Sequence, residues 1–285
     1  YQGLKKFKEE VEKNTGGRYR IQLYANAQLG DDLKATEALR AGTLEMTVPS
    51  TSPLTGICKE LGVFDLPFLF PDSQTAYKVL DGPVGRKILD SLAPAGVVGL
   101  SFWDNGFRHV TNSVREIKTP ADVKGLKIRT MQNPVHLATW KALGAAPTPM
   151  PFSEVFTAMQ TKKIDGQENP IPTIYQQKFA EVQKYCTLTG HIYTPFVVLI
   201  SKKTWDDMPP KDQKIFRDAA IAARDYQRKV SADMDQSQVA KLRETGMRVT
   251  ELSPEQLKAF RDAVAPVTAI FADKIGKETV QAVRD

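Results

Sequence analysis

The sequence predicts an α/β protein whose two lobes are joined by one long helix. The chain has 285 residues, more than the roughly 100 to 200 residues of one usual domain, which favours two lobes. Segments with helical and with strand periodicity alternate along its first half. A single helical pattern from Pro209 to about Gly246 then continues well beyond the usual length of a globular helix.

The first half supports this fold class because short helices and strands follow one another, as is typical of α/β proteins. In chain order we expect a helix to about Asn14, a strand "RYRIQLY", a helix from about Asp31 to Ala41, a short strand "LEMTV", a helix from about Ser73 to Asp90 and a buried strand "GVVGLSFW" that leads into "DNGFRHVTN".

The middle of the chain repeats this design. "TPADVKG" is predicted to be a short helix with Pro120 at its first position, and "LKIRT" a strand. Asn133 caps the next helix, which Gly144 ends. The segment "TEALRAGTLEMTVPS" also corresponds to "FTAMQTKKIDGQENP", so that two strands end at Pro49–Ser50 and at Asn169–Pro170. Ligands of open α/β sheets bind beyond such strand ends, which predicts a crevice between the lobes.

The long helical pattern would extend about 50 Å at 1.5 Å per residue, enough to cross a molecule whose radius of gyration is about 19 Å. We therefore expect this helix to pack on both lobes and to limit how far they open. A strand "MRVTEL" and a helix capped by Ser253 complete the chain. The predicted lobes are residues 1–106 with 195–234 and residues 107–194 with 235–285. The predicted apolar stripe of the long helix is Phe216, Ala219, Ala223, Tyr226, Val230 and Met234.

Composition excludes several classes of function. Hydrophobic residues make up 41% and charged residues 25% of the chain, as in an average soluble protein. The uncharged stretch from Tyr185 to Ser201 is too short and too polar to span a membrane. The net charge is +6, but the basic residues are scattered beside acids, which argues against nucleic acid as a partner.

The motifs of common cofactor and catalytic sites are missing. The glycines form neither a dinucleotide nor a P-loop fingerprint, and the sequence has no G-x-S-x-G or H-E-x-x-H. Cys58 and Cys186 fit no zinc pattern, and the sequence leaves open whether a disulfide joins them. We expect no cofactor and no metal, and we interpret His136 and His191 as hydrogen-bonded structural side chains.

Arg129 is the sharpest functional signal. It ends the strand "GLKIR" directly before the helix start at Asn133. Its planar guanidinium therefore projects where unpaired helix N–H groups also favour an anion. The alternative interpretation is an ion pair with a nearby acid.

Other polar and aromatic residues lie at comparable strand ends. Turns explain "DNG" and "QENP" equally well, and a hydrophobic staple explains an aromatic residue before a helix cap. The candidates are Trp103, Asn105 and Arg108 in "WDNGFRHVTN", Phe152 before a cap at Ser153, and Asn169 in "QENP".

These segments resemble the substrate-binding proteins of TRAP transporters, the DctP family. The similar segments are "DNGFRHVTNS", the run from "TPADVKGLKIRT" to "DGQENP", "QKFAEVQKY", "NAQLGDD", "VFDLPFLF" and the long C-terminal helix, and together they cover nearly the whole chain. The resemblance implies the two-lobed periplasmic binding protein fold. In that fold the lobes close over an organic acid in the periplasm and present it to a membrane permease.

The resemblance also implies roles for the candidates. Arg129, in the "KIR" strand, would form the bidentate salt bridge to the ligand carboxylate. Arg108 and Asn169 would add a cationic and a polar contact, and Phe152 an apolar wall. The full set of ligand-binding residues that we expect in one crevice is Ser50, Trp103, Asn105, Arg108, Arg129, Gln132, Phe152 and Asn169.

The resemblance leaves the bound acid open among a uronate, an aldonate, a C4-dicarboxylate and a sulfonate. Ser50 and Gln132 differ from the residues of sialate-binding members, which makes the chain similar to members for C4-dicarboxylates or sugar acids. We expect a monomeric, non-enzymatic periplasmic receptor that delivers its ligand to TRAP permease subunits. Two alternatives are a ligand-sensing component of a signalling system and an enzyme acting on organic acids.

The chain begins within the first helix, where family members carry a preceding strand, and we expect an export signal to have been removed.

Overall fold

The computed structural model describes every residue from Tyr1 to Asp285. The helices are α1 (Gln2–Asn14), α2 (Asp32–Ala41), α3 (Ser73–Asp81), α4 (Pro83–Asp90), α5 (Pro120–Val123), α6 (Pro134–Ala142), α7 (Val155–Gln160), α8 (Ile171–Gln176), α9 (Lys202–Asp206), α10 (Pro210–Glu244), α11 (Pro254–Ile275) and α12 (Lys277–Arg284). The strands are β1 (Met46–Thr47), β2 (Val97–Phe107), β3 (His109–Asn112), β4 (Lys127–Thr130), β5 (Ala146–Pro149), β6 (Gly166–Asn169), β7 (Tyr185–Leu188), β8 (Tyr193–Ser201) and β9 (Arg248–Glu251).

The strands form two sheets of different size. The small sheet has the order β1-β8-β2 and is antiparallel. The large sheet has the order β5-β4-β6-β3-β7-β9 and mixes parallel with antiparallel pairs. The chain passes from the small to the large sheet at Arg108, between β2 and β3, and returns between β7 and β8. Each sheet forms the centre of one lobe, which confirms the predicted two-lobed α/β fold.

The division of the chain between the lobes stays a prediction. The two passages between the sheets lie close to residues 106 and 195, where the prediction divides the chain. The C-terminal helix α12, assigned to the second lobe, packs against α4 of the first. Its Val280 enters the same buried core as Leu61, so α12 is attached to the lobe that it was not assigned to.

Local sequence signals set several helix ends as predicted. Asn133 caps α6, because its Oδ1 accepts hydrogen bonds from the backbone N–H groups of Val135 and His136 at 2.8 and 3.1 Å. Ser253 and Gln256 form a reciprocal capping box at the start of α11. The first of these caps matters most for function, because α6 follows the strand that carries the sharpest candidate residue.

The segment "RYRIQLY" is irregular and forms no strand, contrary to the prediction. Its residues pair with no neighbouring strand, and the backbone N–H of Ile21 instead donates to the Glu12 carboxylate at 3.0 Å. The side chains of Tyr19 and Ile21 still pack on the core beside the small sheet. The alternating pattern therefore predicts correctly which side chains face the core. It does not reveal whether a neighbouring strand is present to pair with the backbone, which a β-strand also requires.

The single helix predicted from Ser73 to Asp90 is two helices, α3 and α4. Pro83 is the first residue of α4, a position at which its missing N–H has no helical partner to lose. Gly82 is extended, with φ −87° and ψ −170°, as is typical of a residue before proline. The chain therefore turns at this Gly-Pro pair.

The long helix α10 has 35 residues and packs on both lobes, as predicted. Near its start Phe216 lies in the core with α1 and the small sheet, and near its end Leu242 lies in the core behind the large sheet. The predicted apolar stripe is wrong in the middle, where Tyr226 is 42% exposed. This part of α10 instead buries polar side chains, among them Arg228 and Ser231.

The two cysteines are buried and form no disulfide with each other. They belong to separate cores, Cys58 to the core that contains α12 and Cys186 to the core behind the large sheet. No helix combines the length and the apolar character needed to cross a membrane. No group of three or more His, Cys, Asp or Glu side chains is arranged to hold a metal ion.

Candidate functional site

Neighbouring strands of the large sheet bring three predicted residues to one edge. Arg129 in β4 pairs with Gln167 in β6, and Asn169 at the end of β6 lies opposite His109 at the start of β3. Because β4 and β6 are parallel and β3 is antiparallel to them, the ends of β4 and β6 meet the beginning of β3. Arg108 stands directly before that beginning. The strand order therefore places Arg129, Arg108 and Asn169 at the same edge.

Arg129 is buried, and one end of its guanidinium has no protein partner. The residue is 2% exposed, its Nε donates to the backbone oxygen of Met150 at 3.0 Å, and its buried Nη1 has no hydrogen-bond partner. The guanidinium carbon lies 5.8 Å from the ring centroid of Phe152. Burial, followed by the neighbouring charge of Arg108, lowers the pKa of Arg129 to about 10, so the side chain is a cation at neutral pH. A buried cation with free N–H groups binds an anion, and its planar shape suits a carboxylate.

Arg108 already has a carboxylate partner within the protein. Its Nε and Nη2 donate to the two carboxylate oxygens of Glu168 at 2.6 and 2.9 Å, and Nη2 also donates to the Glu168 backbone oxygen at 2.7 Å. Its Nη1 donates to Thr194 at 3.2 Å, which uses one of the two N–H groups on that nitrogen. Arg108 therefore offers a ligand one N–H group and little uncompensated charge.

Glu168, which sequence reasoning missed, is the counter-ion at this edge. Burial alone would raise its pKa, but Arg108 and His191 hold the pKa of Glu168 well below its usual range. His191 Nε2 lies 3.0 Å from Glu168 Oε2, and His191 Nδ1 lies 2.6 Å from the Thr189 hydroxyl, which confirms the structural interpretation of this histidine. The sequence feature that could have revealed Glu168 is an acid within the buried strand "GQEN". A carboxylate buried in a strand needs a cationic partner.

The amide of Asn169 is oriented by its neighbours on β6 and β3. Asn169 Nδ2 donates to Gln167 Oε1 at 2.6 Å, and Gln167 Nε2 donates to the Thr111 hydroxyl at 2.9 Å. Residues 167 and 169 share one face of the strand because strand side chains alternate. Since Gln167 pairs with Arg129, this chain of hydrogen bonds fixes a neutral polar group beside the arginine.

Ser50, Asn105 and Asp32 form a polar group on the small-sheet lobe. Asn105 Nδ2 donates to Ser50 Oγ at 3.2 Å, and the backbone N–H of Ser50 donates to Asp32 Oδ2 at 3.4 Å. Burial raises the pKa of Asp32 to about 6, while the positive charges of Arg129 and Arg108 oppose this increase. The sequence predicts Ser50 and Asn105 as site residues but not Asp32. The pair Asp31–Asp32 stands at the start of a helix, where capping is a sufficient explanation for an acid.

Trp103 does not line the crevice, contrary to the prediction. Its indole N–H donates to the backbone oxygen of Ala220 in α10 at 3.0 Å, and its ring packs in the core with Phe7 and Val11 of α1. The adjacent Phe102 points to the other face of β2, where it packs on Phe64. The sequence shows neither that α10 covers Trp103 nor that the pairing of β2 with β8 shifts register between Asp104 and Gly106. Because of this shift, simple strand alternation does not put Trp103 and Asn105 on the same side.

Gln132 also lies apart from the other candidates. It lines a surface groove of about 590 Å³ together with residues of α2 and α11 such as Arg40 and Phe271, and no other predicted site residue lines that groove. The cause is a tight turn, in which the backbone N–H of Asn133 donates to the oxygen of Met131 at 2.8 Å. Asn133 is thereby buried, whereas Gln132 remains partly exposed.

A buried carboxylate ties the start of α6 to the first lobe. Asp65 accepts hydrogen bonds from Ser52 Oγ at 2.5 Å and Asn133 Nδ2 at 2.8 Å, and its Oδ1 lies 2.9 Å from His136 Nε2. His136 is therefore a hydrogen-bonded structural side chain, as predicted. Because only Met131 and Gln132 separate Asn133 from the strand of Arg129, this tie helps to hold Arg129 in position against the small-sheet lobe.

Nearly the whole chain, and not the site alone, identifies its family. Residues 1–274 match the family described as bacterial extracellular solute-binding protein, family 7, or DctP. The chain belongs to this family. The resemblance to TRAP substrate-binding proteins that its motifs indicate is thereby confirmed, and the family consists of solute-binding receptors.

Similar proteins include receptors for several organic acids. Over 260 residues the chain is 40% identical to the 2,3-diketo-L-gulonate-binding periplasmic protein YiaO of Escherichia coli, with 91% of this chain and 79% of that protein covered. The sugar acid binding protein DctPAm of Advenella mimigardefordensis, in complex with galactonate, has a TM-score of 0.97 and 44% identity, with 99% and 91% covered. A TRAP periplasmic solute binding protein of Sulfurospirillum deleyianum with bound succinate has a TM-score of 0.94 and 36% identity, with 99% and 93% covered.

Proposed function

We propose that this chain captures a small organic acid in the periplasm and delivers it to the permease subunits of a TRAP transporter. The observation that carries the proposal is the buried guanidinium of Arg129, whose Nη1 has no partner in the protein. In a low-dielectric environment such a group gains most from a carboxylate, which offers two oxygens to its N–H groups. Galactonate, succinate and 2,3-diketo-L-gulonate, which the similar proteins bind, share a carboxylate and little else.

Binding would join the two lobes, because its partners come from both. Arg129 and Asn169 belong to the large sheet, whereas Asn105 and Ser50 belong to the small-sheet lobe. An acid held by both groups stabilises the closed arrangement over an open one, so that ligand binding shifts the population of the two states. The permease would then recognise the closed arrangement.

The proposal extends to the partners of the chain. We propose a monomer that carries out no chemical step and does not bind nucleic acid. Many surface lysines are already paired with acids one helical turn away, for example Lys6 with Glu10 at 2.7 Å in α1 and Lys258 with Asp262 at 2.5 Å in α11. Such pairs leave no continuous basic surface along these helices, which supports the exclusion of nucleic acid.

Thermal unfolding with a ligand panel tests this function. A ligand that binds only the folded state adds about 2.7 kcal/mol of stability at a hundredfold excess over Kd, so a bound acid should raise Tm by several degrees. D-galactonate, succinate and 2,3-diketo-L-gulonate are compared with galactitol, which lacks a carboxylate. We expect at least one acid to raise Tm and galactitol to leave it unchanged. An equal effect of galactitol, or no effect of any acid, would contradict the proposal.

A further inference from the structure

We propose that Asp32 makes this site selective for hydroxylated monocarboxylates, the chemistry of sugar acids, over dicarboxylates. The inference rests on the proposed function, since it concerns the same site. Asp32 is then the residue that determines specificity, and the far end of the ligand carries hydroxyl groups rather than a second carboxylate.

The balance of charge at the site leaves one free cation. The charged groups that act on Arg129 are Arg108, Glu168 and Asp32. Glu168 neutralises Arg108 through two short hydrogen bonds to its carboxylate. The histidines nearby add no cation, since burial lowers the pKa of His109 to about 3 and also lowers that of His191. Arg129 is thus the one cation left for a ligand, and it matches one carboxylate.

Asp32 lies on the lobe opposite Arg129 and has few hydrogen-bond donors within the protein. Its Oδ2 accepts from the backbone N–H of Ser50 at 3.4 Å, and Ser50 Oγ in turn accepts from Asn105. A carboxylate has about four lone-pair positions, so this single long hydrogen bond leaves most of the accepting capacity of Asp32 unused. Hydroxyl groups of a ligand are suitable donors, whereas a second ligand carboxylate would meet a like charge.

Helix capping does not explain Asp32. An acid at the first position of a helix is favourable in general, but α2 already has its cap in Asp31. Asp31 Oδ1 accepts from the backbone N–H groups of Leu33 and Lys34 at 3.1 and 3.0 Å. Asp32 instead accepts a hydrogen bond from Ser50, which lies outside the helix and whose side chain is bonded to Asn105.

Isothermal titration calorimetry on the wild type tests the selectivity directly. The probes are D-galactonate and D-erythronate as hydroxylated monocarboxylates, and succinate and fumarate as dicarboxylates. We expect at least one monocarboxylate to bind tenfold or more tightly than both dicarboxylates at pH 7.5. A dicarboxylate that binds most tightly would overturn the inference and leave the proposed function intact. If none of these acids binds, the inference is overturned, and the thermal panel, which also contains 2,3-diketo-L-gulonate, decides the proposed function separately.

Substitutions at Asp32, with one at Asp31 as the control, assign the selectivity to Asp32. In Asp32→Asn the side chain keeps its size but loses its charge and half of its accepting capacity. We expect the affinity ratio of monocarboxylate to dicarboxylate to fall by tenfold or more. Asp31→Asn is the matched control, because Asn also caps helices and the ratio should stay unchanged. Asp32→Ser serves the same purpose if Asp32→Asn does not fold. An unchanged ratio in a folded Asp32 variant would overturn the assignment.

Discussion

Arg108 and Arg129 carry the same side chain at the same edge of the large sheet, yet their surroundings differ. Arg108 is matched by Glu168 at 2.6 Å, whereas Arg129 donates to a backbone oxygen and keeps Nη1 unpaired. The difference follows from strand alternation, which turns Glu168 away from the face shared by Gln167 and Asn169. One arginine is therefore part of the framework, and the other is available to bind a ligand.

Removing the carboxylate of Glu168 tests this division of roles. In Glu168→Gln the buried charge of Arg108 loses its partner, which should destabilise the fold by about 3–5 kcal/mol at pH 7. Because the pKa of Glu168 is lowered in the folded state, its stabilisation is present above the usual pKa of Glu and is lost as the pH falls. The difference in Tm between wild type and variant should therefore shrink between pH 7 and pH 3.5.

The exposed Glu154 supplies the control for that experiment. Glu154→Gln should leave Tm within about one degree of the wild type at both pH values, because exposed charges contribute little. A Glu168→Gln protein as stable as the wild type at pH 7 would show that Arg108 does not depend on Glu168.

For single residues, the sequence predicts which ones occur at strand ends but not which side chains each of them contacts. The position of Arg129 follows from "GLKIR" and the cap at Asn133, and the structure agrees. The partner of Arg108 does not follow, because Glu168 meets it only through the pairing of β3 with β6. Trp103 fails for a related reason, since its burial under α10 depends on a helix that lies more than one hundred residues further along the chain.

The helix α10 is held at its centre by polar contacts instead of an apolar stripe. Arg228 donates to both carboxylate oxygens of Asp81 at 2.6 and 2.9 Å, and Ser231 donates to Asp104 at 2.8 Å. Tyr193 also donates to Asp104, at 2.7 Å. The length of the helix was predictable from its pattern and from the proline at its start. Its buried face was not, because hydrogen bonds to Asp81 of α3 and to Asp104 of β2 replace apolar burial there and leave no apolar pattern.

Asp235 is an unfavourably placed carboxylate on this polar face of α10. Its Oδ1 is buried without a hydrogen-bond partner, and burial, together with the charge of Asp104, raises its pKa to about 6. A carboxyl group whose folded-state pKa is raised stabilises the fold at low pH and loses this contribution as the pH rises through that value. We expect Asp235→Asn to increase Tm relative to the wild type more at pH 8 than at pH 4.5.

The exposed neighbour Asp233 provides the comparison for this prediction. Asp233→Asn should shift Tm by a similar small amount at both pH values. If Asp235→Asn lowers Tm more at pH 8 than at pH 4.5, the carboxylate of Asp235 is favourably placed and the explanation is wrong.

Across the whole molecule, α10 is attached to two cores that lie behind different sheets. Phe216 belongs to the core of the small sheet and Leu242 to that of the large sheet. A third core connects both lobes, since it includes Phe64 beside the small sheet and Val110 of the large sheet. The two-lobed fold was predictable from the alternation of elements. This connecting core was not, because it is built from contacts between distant segments.

A helix fixed to both lobes should bend when the lobes close. α10 has no internal proline or glycine, so the bend should fall where polar residues interrupt apolar packing, and we expect it within "KVSADMDQ", residues 229–236. Crystal structures with and without a bound acid measure it. A helix that stays straight and remains docked on only one lobe while the lobes rotate about the strand crossings would refute the prediction.

The binding of a ligand carboxylate by Arg129 is tested most directly by calorimetry. The titrant is the acid that raises Tm most in the thermal panel, and the proteins are the wild type, Arg129→Ala and, as control, Lys127→Ala on the exposed start of the same strand. Losing one partner of a buried charge pair costs about 3–5 kcal/mol, so Arg129→Ala should weaken binding by about two to four orders of magnitude, while Lys127→Ala should bind as the wild type does. A change of less than tenfold in a folded Arg129→Ala protein would contradict the assignment of Arg129 as the carboxylate anchor.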